Sequence, residues 1–145
     1  MALDAASLNA LIADLFGIIQ SLSGYPVPQQ LPSVRLAPLA EMQAMVCRGA
    51  CQLRGFYLPE SGVFVNDVLD VQRDVVARSI LLHELVHHVQ HLSGRYDKLS
   101  RCERWFYRER EAYDVQNAYL RREQAATRFA FETVPAMCSD PSGQR

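Results

Sequence analysis

The sequence predicts an α+β fold in which a small, mostly antiparallel sheet packs on helices. Two observations carry that expectation. Apolar side chains recur at helical spacing over residues 4–22 and about 71–92, and a further long helix is expected over about 99–124. Between the first two of these stretches lie short aromatic and β-branched runs separated by proline and glycine, the pattern of strands and tight turns.

The elements follow in order. Leu8, Leu11, Ile12, Leu15, Ile18, Ile19 and Leu22 lie along one stripe of the first helix, with Asp4 or Ser7 as its N-cap. The segment "GYPVPQQLP" holds three prolines and is an extended connection. "SVRLA" reads as a strand and "PLAEMQAMVC" as a short helix with Pro38 in its first turn. "QLRGFYL" and "GVFVN" flank "PESG" and form a hairpin. The second long helix ends at Ser93-Gly94, the third covers about Leu99 to Gln124, and a loose tail occupies about 132–145. The chain is expected to be a single domain over 1–145, with its motif-bearing core at about 55–124.

With 145 residues, 49% of them hydrophobic and 21% charged, the chain has the balance of a soluble globular protein with a real core. A formal charge of −1 gives no reason to expect a nucleic acid or an anionic membrane as partner. The apolar stretches are expected to be too short and too interrupted to span a bilayer. The N-terminal stretch lacks a basic segment, and Asp4 and Asp14 interrupt it, so it does not read as a signal peptide. Cys47, Cys51, Cys102 and Cys138 include no C-x-x-C pair. They are either four thiols of a cytoplasmic protein or possible disulfides of a periplasmic or secreted one.

The chemistry concentrates in "LLHELVHHVQ", Leu81 to Gln90. Wound at about 100° per residue, this stretch places Leu81, Leu82, Leu85, Val86 and Val89 on a core face and the histidines on a polar one. His83 and His87 are one turn apart, so their imidazoles can converge on one ion at about 2.0–2.1 Å. Glu84 sits to the side, within reach of a water held there. This is the H-E-x-x-H arrangement, in which zinc activates a water and the glutamate takes its proton. The competing reading is a polar helix face with surface histidines. His88 and His91 point elsewhere or lie too far along the axis, and are read as rim residues.

A catalytic zinc usually has a third protein ligand. The pattern with a downstream glycine and histidine fails, because Gln90 and Ser93 stand in those places. The next helix offers Glu103, Glu109 and Glu111. Glu103 starts that helix and suits its dipole. Glu109 has Trp105 and Phe106 one turn before it and Tyr113 one turn after, the neighbours of an inward-facing residue. An inward carboxylate is costly unless paired or metal-bound.

H-E-x-x-H followed by a helix with E-x-x-A resembles the gluzincin clan of metallopeptidases, in particular its compact bacterial members, the minigluzincins. The resemblance covers about Gly55 to Leu120. It implies a zincin-like fold with zinc between the two C-terminal helices, His83 and His87 as ligands, and Glu84 as general base. Glu109, from Glu109-Arg110-Glu111-Ala112, would be the third ligand, with Glu111 as the alternative. The clan often has Asp or Asn after that alanine to support a ligand histidine; Tyr113 stands there instead.

The function expected is zinc-dependent hydrolysis of peptide or protein substrates. The rival is an inactive or latent zinc-binding interaction module of the same fold, in one version with Cys138 near the metal. "GVFVN" is a candidate to pair with an extended substrate. Tyr113, Tyr119, Tyr96 and His88 are candidates to stabilise an oxyanion.

Overall fold

The computed structural model of the chain describes residues 3–47 and 51–131. Among them, four helices and three strands follow the order α1 (Ala5–Ser23), β1 (Val34–Ala37), α2 (Leu39–Val46), β2 (Gly55–Leu58), β3 (Gly62–Asn66), α3 (Val75–Ser93) and α4 (Arg101–Arg122). The class is α+β. The expected tail over 132–145 lies outside the described residues.

The sheet is mixed rather than mostly antiparallel. Its order is β1-β3-β2, with β1 parallel and β2 antiparallel to β3. A parallel neighbour requires a crossover, and α2 together with β2 supplies it. The hairpin turn closes at Gly62, whose φ of +99° is strained for any side chain, and a Cβ there would run into the Ser33 carbonyl oxygen. "GVFVN" is therefore the central strand, paired on both sides and buried at all five positions. It has no free edge for a substrate. The edge strand is β2.

Each long helix is capped by its own side chains. Asp4 accepts from the Ser7 amide at 2.8 Å and Asp74 from the Val76 amide at 2.9 Å. Ser100 accepts from the Glu103 amide and donates to the Glu103 carboxylate at 2.7 Å, which accounts for Glu103 as a structural residue. Helix α3 begins at Val75, not near Val71, because Asp70 and Arg78 hold a turn before it: Asp70 accepts from the Arg73 amide, and Arg78 donates to the carbonyls of Val71 and Gln72.

Helix α1 buries Ile12, Leu15, Phe16 and Ile19 in the main core with Val63 and Val65 of β3, Leu82 and Val86 of α3, and Val115 of α4. Each such side chain contributes about 1.5–3 kcal/mol by leaving water. By length and composition alone, Ala5–Ser23 is long and apolar enough to cross a membrane, so the expectation that every apolar stretch is too short does not hold for it. Its exposed positions are Ala5, Ala6, Asn9, Ala10, Ala13, Asp14, Gly17, Gln20 and Ser21, small or polar residues.

Helix α3 is the central element. The sequence suggests one core face and one polar, histidine-bearing face; residues 79–86 are nevertheless buried all round. Helix α4, the sheet and α1 enclose it, and α4 covers the histidine-bearing side. Cys47 and Cys51 form a disulfide, which is compatible with an oxidising, extracellular-type compartment. Cys102 is also disulfide-bonded, and Cys138 lies outside the described residues.

Candidate metal centre

Helix α3 presents His83 and His87 to α4, and α4 presents Glu109 to them. Glu109 Oε2 lies 2.9 Å from His87 Nε2 and 3.3 Å from His83 Nε2. One ligand atom from each residue falls within 4.8 Å of the others. His83 is only 5% exposed.

The far side of each imidazole determines its proton. Ser79 Oγ donates to the Val76 carbonyl at 2.6 Å, so it accepts from Gln116 Nε2 at 3.1 Å. That turns Gln116 Oε1 toward His83 Nδ1, 2.9 Å away. Gln90 Nε2 donates to two groups that can only accept, the Arg108 carbonyl at 2.9 Å and Glu111 Oε1 at 3.0 Å. Its Oε1 therefore faces His87 Nδ1 at 2.8 Å. Both histidines carry hydrogen on Nδ1, which leaves Nε2 facing the Glu109 carboxylate as the atom that takes either a second proton or a cation.

Lone pairs facing a carboxylate at such distances repel unless a positive charge lies between them. A proton or a divalent cation satisfies the arrangement, and the donor set of two imidazoles and one carboxylate suits zinc. With protons alone, burial opposes charge on His87, but the carboxylates of Glu109 and Glu84 outweigh it and raise its pKa to about 9. Burial likewise opposes charge on Glu109, but hydrogen bonds from His83 and His87 hold its carboxyl far below the usual range.

Glu84 is 8% exposed and lies against Gly55 of β2. Burial raises its pKa; the nearby histidines oppose that shift and Glu109 adds to it. A Cβ at position 55 would come within 3.1 Å of Glu84 Cγ and 3.0 Å of the Phe64 carbonyl oxygen, so glycine there lets the strand close over the glutamate. Two open hollows, of about 420 and 430 Å³, meet at Gly55, Glu84 and Glu109. One runs along β2 toward Arg101 and Trp105, and the other toward Tyr113 and Phe129.

Residues 4–140 match a family described as a domain of unknown function (DUF6647). The chain belongs to DUF6647. No curated protein and no solved structure matches it.

In this DUF6647 chain the remaining sequence candidates separate. Glu111 points away from the cluster: its carboxylate accepts from Tyr25 at 2.5 Å, from Gln90 and from Arg95 at 2.8 Å. Its place is behind His87, holding Gln90. Tyr113 stands edge-on to His83 with ring centroids 4.5 Å apart and lines the same hollow. Tyr119 accepts from Arg78 Nε at 2.7 Å and lines neither hollow. Tyr96 stacks on Tyr107. His88 pairs with the Tyr57 hydroxyl at 3.0 Å, burial lowers its pKa, and His91 is exposed.

Sequence reasoning missed Gln90, Gln116 and Gly55. Gln90 was read only as a mismatch to another zinc pattern. Its position one turn after His87 was the available signal, since i and i+3 side chains are neighbours on a helix. Hydrogen bonds to these two amides hold the histidines, and Tyr113, the residue after Ala112, sets its ring edge-on to His83.

Proposed function

We propose that this DUF6647 chain is a zinc-dependent metallopeptidase with a gluzincin-like, zincin-type site. The observation that carries the reading is the convergence of the Nε2 atoms of two histidines and a carboxylate, at hydrogen-bonding distance, beside a buried glutamate on the wall of a cleft. His83, His87 and Glu109 would hold Zn²⁺, which when bound supplies Lewis acidity and activates a water for attack on a carbonyl. Gln116 and Gln90 keep the imidazoles in the ligating tautomer. Glu84, its pKa raised toward the working pH, accepts the proton of the attacking water and returns it to the leaving amine. The outer edge of β2, unpaired among the described residues, offers backbone groups along the cleft on which an extended peptide can add as a strand. Tyr113, on the wall of the neighbouring hollow, would orient a substrate oxygen.

The test is metal analysis with a broad peptide-library digest on wild type and Glu84→Gln. Wild type should carry about one zinc per chain and cleave; the variant should carry the same zinc and not cleave. Cleavage at an equal rate by the variant would sink the mechanism. A latent or purely zinc-binding module of the same fold is the second reading. The chain's own Phe129 and Phe131 favour it: Phe129 walls one hollow, and Phe131 packs on Phe106 and Tyr113 at 5.3 and 5.7 Å between ring centroids. Zinc without cleavage of any library member would support that version.

A further inference from the structure

The cleft is electrostatically lopsided. Arg101, Arg104 and Arg108 recur at spacings of three and four along α4, so they share one face. All three line the hollow that also reaches Glu84, His87 and Glu109, and Trp105 stands among them, 45% exposed. The hollow on the Tyr113 side has one arginine, Arg54, whose guanidinium lies over the Phe129 ring at 5.7 Å. With a chain charge of −1, this is a local concentration, not the character of the whole protein.

These arginines are weakly engaged among the described residues. Arg108 reaches the exposed Asp97 only at 3.6 Å, and its buried Nε has no hydrogen-bond partner. Arg104 reaches the Asp97 carbonyl at 3.4 Å. Both distances lie beyond the usual N–H···O range of about 2.7–3.2 Å. Buried donors left without acceptors are costly, and a carboxylate matches the guanidinium fork. Glu84 and Glu109, the carboxylates of that hollow, are committed at its metal end.

Resting on the peptidase reading, we propose that the α4 arginine wall binds a carboxylate of the substrate, and that the protein selects peptides that are acidic on the side of the cleavage point lying along Arg101, Arg104 and Arg108. Trp105 gives the neighbouring substrate side chain an apolar face. The carboxylate is either an Asp or Glu side chain or the peptide's own C-terminus; both present the same fork.

The test is fluorescence anisotropy at physiological salt with the full chain. The probes are a labelled peptide carrying several glutamates and its glutamine counterpart, each with a free and an amidated C-terminus. The acidic peptide should bind about tenfold or more tightly than the glutamine peptide, as expected for charge-assisted contacts. Arg101→Glu and Arg104→Glu, separately and together, should erase the preference, while Arg110→Glu, an equal charge change outside the hollow, should keep it. A larger effect of amidation than of glutamine replacement would assign the site to the C-terminal carboxylate. Equal binding of all four peptides, no binding, or an equal loss in Arg110→Glu would overturn the proposal. Mass spectrometry of the same mixtures separates the two readings. Cleavage with no preference for either kind of carboxylate sinks this inference alone; a carboxylate preference without cleavage sinks the peptidase reading alone.

Discussion

Replacing Gln90 by methionine, which is similar in length and apolar, tests whether the second layer of the site fixes the first. Gln90 is 1% exposed and makes three hydrogen bonds, at 2.8, 2.9 and 3.0 Å. The change strands one group, His87 Nδ1–H; the Arg108 carbonyl, inside α4, keeps its helical partner. Glu111 keeps Tyr25 and Arg95 and is not stranded. At about 1–3 kcal/mol for a buried unsatisfied group, the fold should lose on the order of 1–2 kcal/mol once methionine's own burial offsets part of the cost. His87 also loses the acceptor that holds its proton on Nδ1, so zinc affinity should fall about 10–100-fold, or about 1.4–2.7 kcal/mol. Denaturant unfolding of the metal-free protein measures the first number, and zinc competition with a chromophoric chelator measures the second. A folded variant whose zinc affinity stays within about twofold of wild type would refute the claim that Gln90 sets the ligating tautomer.

Glu109→Ala should abolish stoichiometric zinc, whereas Glu111→Ala, which loosens Gln90 without removing a ligand, should weaken it only about tenfold; equal loss in both by metal analysis would reverse their roles. Zinc binding should displace a proton from His87, whose pKa without metal is about 9, so affinity should rise with pH up to that value. Calorimetry in buffers of different ionisation enthalpy should show about one proton released per zinc near neutral pH, and no release would contradict the protonated pair. In the metal-free protein the raised His87 pKa stabilises the fold fully below its ordinary value of 6.5 and loses that contribution as pH rises through about 9. The thermal midpoint should therefore fall over that window, and a flat profile would count against the His87–Glu109 pair.

What could be read without a structure was whatever depends on local periodicity. The three long helices follow from apolar spacing and capping residues, and the adjacency of His83 and His87 follows from one helical turn. The preference for Glu109 over Glu111 comes from its aromatic neighbours and the E-x-x-A resemblance; helical geometry adds that residues two apart face nearly opposite ways, so both cannot serve. Non-local pairing was out of reach. The parallel β1–β3 register, the central place of "GVFVN" and the edge position of β2 depend on which strands meet across an intervening helix, and no local pattern encodes that. The burial of the polar face of α3 is out of reach for the same reason: a polar stripe on one helix shows its depth only once the helix that covers it is in place. Gln90 and Gln116 show the limit most sharply. An amide in a helix is an unremarkable residue in sequence. Only when α4 packs on α3, bringing Arg108, Glu109 and Glu111 against it, do the available acceptors decide which way each amide turns and which nitrogen of each histidine is left to bind.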